Sequence, residues 1–80
     1  MVDGMNNAKR KSLREALSLI SRAIVITESV CDREQDAMDN YPESMQETDR
    51  FEAMEAAVEN LSDAAEKLEE AKNQIENAIG

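Results

Sequence analysis

A seven-residue rhythm runs along two stretches of this chain, and its only proline, Pro42, stands between them. With Leu13 as heptad position a, that position holds Leu13, Ile20, Thr27, Glu34 and Tyr41. Position d holds Ala16, Ala23, Val30 and Ala37, and position e holds Leu17, Ile24, Cys31 and Met38. An a/d/e stripe of this width is the face that a helix buries in a bundle, and it predicts a helix over residues 7–40. The residue before a proline is pushed out of helical geometry, so the helix stops ahead of Pro42. Asn40, tolerant of a left-handed backbone, is the expected turning residue.

The second stretch repeats the pattern as a g/a/d stripe. Phe51, Val58, Ala65, Lys72 and Ile79 fall seven apart, as do Met54, Leu61, Leu68 and Ile75, flanked by an alanine row at 57, 64, 71 and 78. A helix over 48–79 follows. Two start signals compete for it: Ser44 with Glu47 makes a capping box, and Thr48 before Asp49 is a second N-cap. A single irregular turn over 42–47, within a corner at 41–47, would use both. Two helices of about 32 residues, roughly 48 Å each, joined by so short a connection lie antiparallel. The fold expected is all-α, an antiparallel two-helix hairpin with an alanine-rich, coiled-coil-like seam over residues 7–80. Tyr41 and Phe51, the only aromatic residues, would close its tip on each other or on Met38 and Met54, with Pro42 and Ser44 holding the corner. Met5 opens a stretch that reads as a start in its own right, so residues 1–4 read as an extension and 1–6 are expected to be disordered.

Eighty residues carry one Cys and no His, which removes an internal disulfide and a structural zinc site. A core of this size rarely supplies more than roughly 3–5 kcal/mol unaided, so oligomerisation or unusually regular helix packing is expected. Leu19 and Ile26 share position g, with Val25 beside them at f, and from residue 19 to 26 the first helix is apolar over more than half its circumference. Leu19, Ile20, Val25 and Ile26 are therefore the candidate docking patch: a homodimer forming a four-helix bundle is the leading expectation, ahead of a landing site for a different protein and of a merely wide stripe on a monomer.

Charge orients that dimer. Eighteen acidic and nine basic residues give a net charge of −9. From Asp32 to Glu55 there are nine acids against Arg33 and Arg50, so the loop end carries −7. Lys9, Arg10, Lys11 and Arg14 at the open end face Glu66, Glu69, Glu70 and Glu76 and are expected to pair with them. A parallel dimer would crowd two acidic tips together, so the antiparallel arrangement is expected. The same charge argues against direct binding of nucleic acid or of an anionic membrane, and no apolar run approaches a membrane span. A lone thiol fits a reducing compartment, and the chain reads as cytoplasmic.

No residue pattern announces a chemistry. The carboxylates of Asp32–Asn40 resemble a Ca²⁺ loop only in part, lacking the turn glycine and the twelfth-position Glu. A di-iron bundle site needs histidine. Cys31 sits at an apolar position with no base to activate it, and no glycine-rich loop exists to hold phosphate. Glu34, at position a, is expected to be partly buried in a salt bridge to Arg50 or Arg33. Neither an enzyme nor a cofactor is expected. The acidic surface formed by Asp32, Asp36, Asp39, Glu43, Glu47, Asp49, Glu52 and Glu55 is the candidate contact region.

The corner "DNYPESMQETDR", with Asn40, Pro42, Glu43, Ser44, Gln46, Glu47, Thr48 and Arg50, resembles a pattern in small acidic helical-hairpin proteins of phages, prophages and gut-type bacteria. In that pattern a basic start, acidic helix, corner and Ala/Glu/Leu helix cover almost the whole chain. Phe51 departs from it, standing where the pattern has a small residue. The resemblance implies a hairpin fold and a mobile-element origin, and brings no catalytic residue with it. It points to an anti-CRISPR-like inhibitor working in the host cytoplasm, its acids occupying a basic nucleic-acid groove on a host defence complex. The competing reading is a self-associating assembly module.

Overall fold

A computed structural model of the chain describes residues 5–80. The extension expected at residues 1–4 lies outside them, and Asn6 does not follow the disorder expected over residues 1–6. Its side chain accepts a 2.8 Å hydrogen bond from the Lys9 N–H and caps the first helix. That helix, α1, spans Asn7–Asp39, and the second, α2, spans Asp49–Ile79, with a short 3-10 turn at Glu43–Met45 between them. The two helices pack against each other as a hairpin 65 Å long and 16 by 14 Å across. Its radius of gyration is 18.3 Å, where a compact chain of this length would have about 12 Å. The molecule is a rod, so almost every residue lies near solvent.

The inner seam is a strict alternation of three- and four-residue steps. On α1 the residues withdrawn from solvent along it are Arg10, Leu13, Leu17, Ile20, Ile24, Thr27, Cys31, Glu34 and Met38, and Tyr41 continues the row. On α2 they are Phe51, Met54, Val58, Leu61, Ala65, Leu68, Lys72, Ile75 and Ile79. Two contacts fix the register: the Arg10 guanidinium Nε donates to the Ile79 carbonyl at 3.3 Å, and the Cys31 thiol donates to the Val58 carbonyl at 3.5 Å. Arg10 to Cys31 and Val58 to Ile79 are each 21 residues, three whole heptads, so the register does not slip between them. Seven residues in from Cys31 and Val58, the same register sets Ile24 opposite Ala65. These are the two buried residues of the described chain, at 5% and 7% exposure.

The seam corrects the a/d/e reading. Positions a and e of α1 face α2, while d flanks: Ala16 and Ala23 are half-buried, and Val30 and Ala37 are exposed. The alanine row of α2 flanks as well, with Ala57 and Ala64 half-buried and Ala71 and Ala78 exposed. A single partner helix covers two adjacent rows. Rows a and e offer Leu13, Leu17, Ile20 and Ile24, which bury more apolar area than the alanines of row d. Of the alanines in α2, only Ala65 lies on the central line.

The corner also resolves the competing signals. Asn40 does not turn left-handed: it sits at φ −95°, ψ 1°, and no described non-glycine residue has positive φ. Its backbone N–H and its side-chain Nδ2 both donate to the Asp36 carbonyl, at 3.1 and 2.9 Å, so a carbonyl left open by the helix end is satisfied without αL geometry. Pro42 opens the 3-10 turn, and the Met45 N–H returns to its carbonyl at 2.9 Å. Thr48 caps α2, its Oγ1 accepting from the Phe51 N–H at 3.3 Å and donating to the Met45 carbonyl at 2.8 Å. Ser44 lies within the 3-10 turn, four residues ahead of the N-cap position and so too early to reach the first N–H groups of α2. The Tyr41 and Phe51 rings meet at 5.6 Å between centroids, tilted by 44°. Thr48→Ala is expected to cost about 1 kcal/mol in urea unfolding, while Ser44→Ala stays within about 0.5 kcal/mol. Equal losses would return the cap to Ser44.

Candidate interaction surfaces

Asp32, Asp36, Asp39, Glu43, Glu47, Asp49, Glu52 and Glu55 are all exposed. At about 100° per residue, Asp32, Asp36 and Asp39 lie within about 60° of one another on α1, turned away from the seam. Glu55, Glu52 and Asp49 climb around the outer side of α2 in steps of about 60°, and Glu43 and Glu47 cross the corner. The eight therefore form a collar around the loop end rather than one flat face. The hairpin gathers them by folding Asp32–Asp39 back beside Asp49–Glu55. Gln35 Nε2 donates to Asp39 Oδ1 at 3.0 Å; the other seven acids make no side-chain hydrogen bond among the described residues.

Among the described residues the pairs expected of Glu34, Lys9, Lys11 and Arg14 are not formed. Glu34 is half-buried in the seam but pairs with neither Arg33 nor Arg50, and Lys9, Lys11 and Arg14 make no pair with Glu66, Glu69, Glu70 or Glu76 among the described residues. Long exposed side chains gain little from a surface pair and lose rotamer freedom in making one. At the open end the two helices are tied instead by Arg10 Nε on the Ile79 carbonyl.

The candidate docking patch divides. Ile20 is half-buried in the inner seam. Leu19 and Ile26 are exposed, at 58% and 59%, and lie about 20° apart on one side of α1. Val25, at 66%, points about 100–120° away from them, toward the outer side of the hairpin.

The a/d/e stripe does not display every apolar row of α1. Ala16, Leu19, Ala23, Ile26 and Val30 step by three, four, three and four residues, and Ala37 follows a heptad later. Helix α1 thus carries a second heptad seam about 100° from the first. Split between positions d and g of one heptad frame, it reads there as flanking residues rather than as a line of its own. Because the helices are antiparallel, the alanine row of α2 turns to the same side of the hairpin as this second seam. The opposite side holds an open groove of about 500 Å³ between the helices, lined by Glu28, Asp32, Ser62, Glu66 and Glu69 over Cys31, Leu61 and Ala65. One broad side is apolar and small-residue, the other acidic.

No described group of three or more His, Cys, Asp or Glu side chains converges as a metal site would, and the Cys31 thiol is engaged on the Val58 carbonyl. No described helix is long and apolar enough to cross a membrane. No protein-family model, curated protein or solved structure matches this chain.

Proposed function

We propose that this chain is a non-enzymatic protein–protein interaction module that presents its acidic loop end to a basic surface of a partner protein. Following the corner resemblance, the partner is a nucleic-acid groove on a host defence complex, and the module is an anti-CRISPR-like, phage-encoded inhibitor acting in the host cytoplasm. The observation that supports this reading is the collar itself. Nine acids against two arginines from Asp32 to Glu55 are folded into one end of a rod, and the eight collar acids are solvent-exposed. Such a concentration of exposed carboxylates offers a basic groove what a phosphate backbone offers it.

The test is affinity capture from bacterial lysate at low and high salt, comparing the native chain with Glu43→Lys, Glu47→Lys, Asp49→Lys and Glu52→Lys combined. Asp49 and Glu52 lie in the first turn of α2, where each carboxylate contributes about 0.3–1 kcal/mol through the helix dipole. Circular dichroism therefore accompanies the comparison, to show that the variant is still helical. The expected result is a nucleic-acid-handling complex retained at low salt by the native chain, released by salt, and absent from the folded variant. Retention that ignores both salt and reversal would overturn the proposal.

A second reading, self-association into a four-helix bundle as an assembly module, is favoured by the exposed Leu19 and Ile26, which the hairpin leaves without a partner.

A further inference from the structure

We propose that the side of the hairpin formed by the second seam of α1 and the alanine row of α2 is the face on which a second copy of this chain docks. The two copies run antiparallel about a two-fold axis near Ala23, so that α1 lies on the partner's α1 and α2 on the partner's α2. This reading needs no third protein and does not depend on the acidic collar having a target.

Three observations choose the occupant and its orientation. The first is steric. About an axis near Ala23, Leu19 meets the partner's Ile26 and Ala16 meets the partner's Val30. Each copy therefore presents large residues where the other presents large and small ones in knob-and-hole order. Across α2, Ala57, Ala64, Ala71 and Ala78 permit close approach of the backbones.

The second is area. A face 65 Å long and 16 Å wide offers on the order of 1,000 Å², against about 800 Å² per partner in a stable interface. The hairpin alone buries only two residues.

The third is charge. None of the 18 acidic residues occupies the row Ala16, Leu19, Ala23, Ile26, Val30, Ala37 or the row Ala57, Ala64, Ala71, Ala78. The alternative two-fold, along the rod, would lay α1 on the partner's α2 and bring two −7 ends together. The antiparallel one sets them at opposite ends of a rod about 65 Å long, far beyond the roughly 8 Å screening length. Each then lies beside the partner's Lys9, Lys11 and Arg14. The dimer is a rod with an acidic collar at both ends, a bivalent form of the single collar.

Sedimentation equilibrium is the first measurement, with a mass near twice the 8.9 kDa chain expected. A monomer mass at every concentration up to the millimolar range overturns the proposal. Leu19→Asp with Ile26→Asp should give a helical monomer, since neither residue belongs to the inner seam. Val25→Asp, equally exposed on the other side of α1, should leave the dimer intact; equal loss in both would mean that charge and not this face is responsible.

Orientation is read by disulfide trapping in a Cys31→Ser background, since a disulfide needs Cα atoms about 4.4–6.8 Å apart. Ala23→Cys should oxidise to a homodimer, and Ala37→Cys should not. A mixture of Ala16→Cys and Ala71→Cys chains that cross-links while Ala23→Cys alone does not would show the parallel arrangement and overturn the one proposed.

Discussion

Ile24→Ala is expected to unfold most of the population at room temperature. Buried Ile→Ala changes cost about 2–5 kcal/mol, depending on how far the surroundings collapse into the cavity. Here the register sets Ile24 opposite Ala65, which has no side chain to swing into the space, so the upper part of that range applies. A core of this size supplies roughly 3–5 kcal/mol in all. The loss therefore matches the whole stability of a hairpin. Urea titration followed by circular dichroism, at one fixed protein concentration because self-association would add to stability, checks this. Val25→Ala, one residue along but exposed, should change stability by no more than about 0.5 kcal/mol. Should the two variants unfold at the same urea concentration, Ile24 is not the centre of the core.

The two-helix hairpin was legible in the sequence because heptad spacing and a lone proline are local properties of the chain. The choice of seam was not. Rows a, d and e of α1 lie side by side, and a partner helix can sit over a/d or over a/e; only the larger apolar area of Leu17, Ile24 and Met38 in row e, against the alanines of row d, decides it. The cap was ambiguous for a similar reason, since Ser44 and Thr48 carry equivalent hydroxyls. Which one serves depends on whether the chain enters α2 directly or first makes the 3-10 turn at Glu43–Met45. Asn40 could satisfy the end of α1 through its own amide as well as through a left-handed backbone, and residue type does not distinguish the two.

Among the candidate surfaces, the acidic loop end could be read from the sequence as a concentration of charge but not as a collar. Net charge over Asp32–Glu55 requires only that the chain reverse at Pro42. The apolar patch was visible as an excess but not as a shape. Ile20 and Leu19 are adjacent in sequence, yet a 100° step places one in the seam and the other in water. The expected ion pairs failed because opposite charges at one end of a rod have no obligation to meet when water solvates both.

Ala65→Leu probes the layer from its other side. Ala65 is the one alanine of α2 on the central line and is 7% exposed, so added carbons have nowhere to go but into the facing helix. Overpacking of this kind costs about 1–3 kcal/mol, or a fall in Tm of roughly 5–20 °C for a domain of this size. Ala56→Leu, on the exposed outer side of the same helix, exchanges two good helix formers and should leave Tm nearly unchanged. The combination is the sharper experiment. If Ile24 and Ala65 share a layer, Ile24→Ala creates the space that Ala65→Leu fills, because the pair merely exchanges its large and small members. The double variant should then be more stable than Ile24→Ala alone, with a coupling of about 0.5–3 kcal/mol, whereas distant sites add their losses. Simple additivity would mean that the two side chains do not meet. The register drawn from Arg10 on Ile79 and Cys31 on Val58 would then be displaced at the centre of the rod, and the two-fold axis near Ala23, which is placed by the side that seam leaves exposed, would move with it.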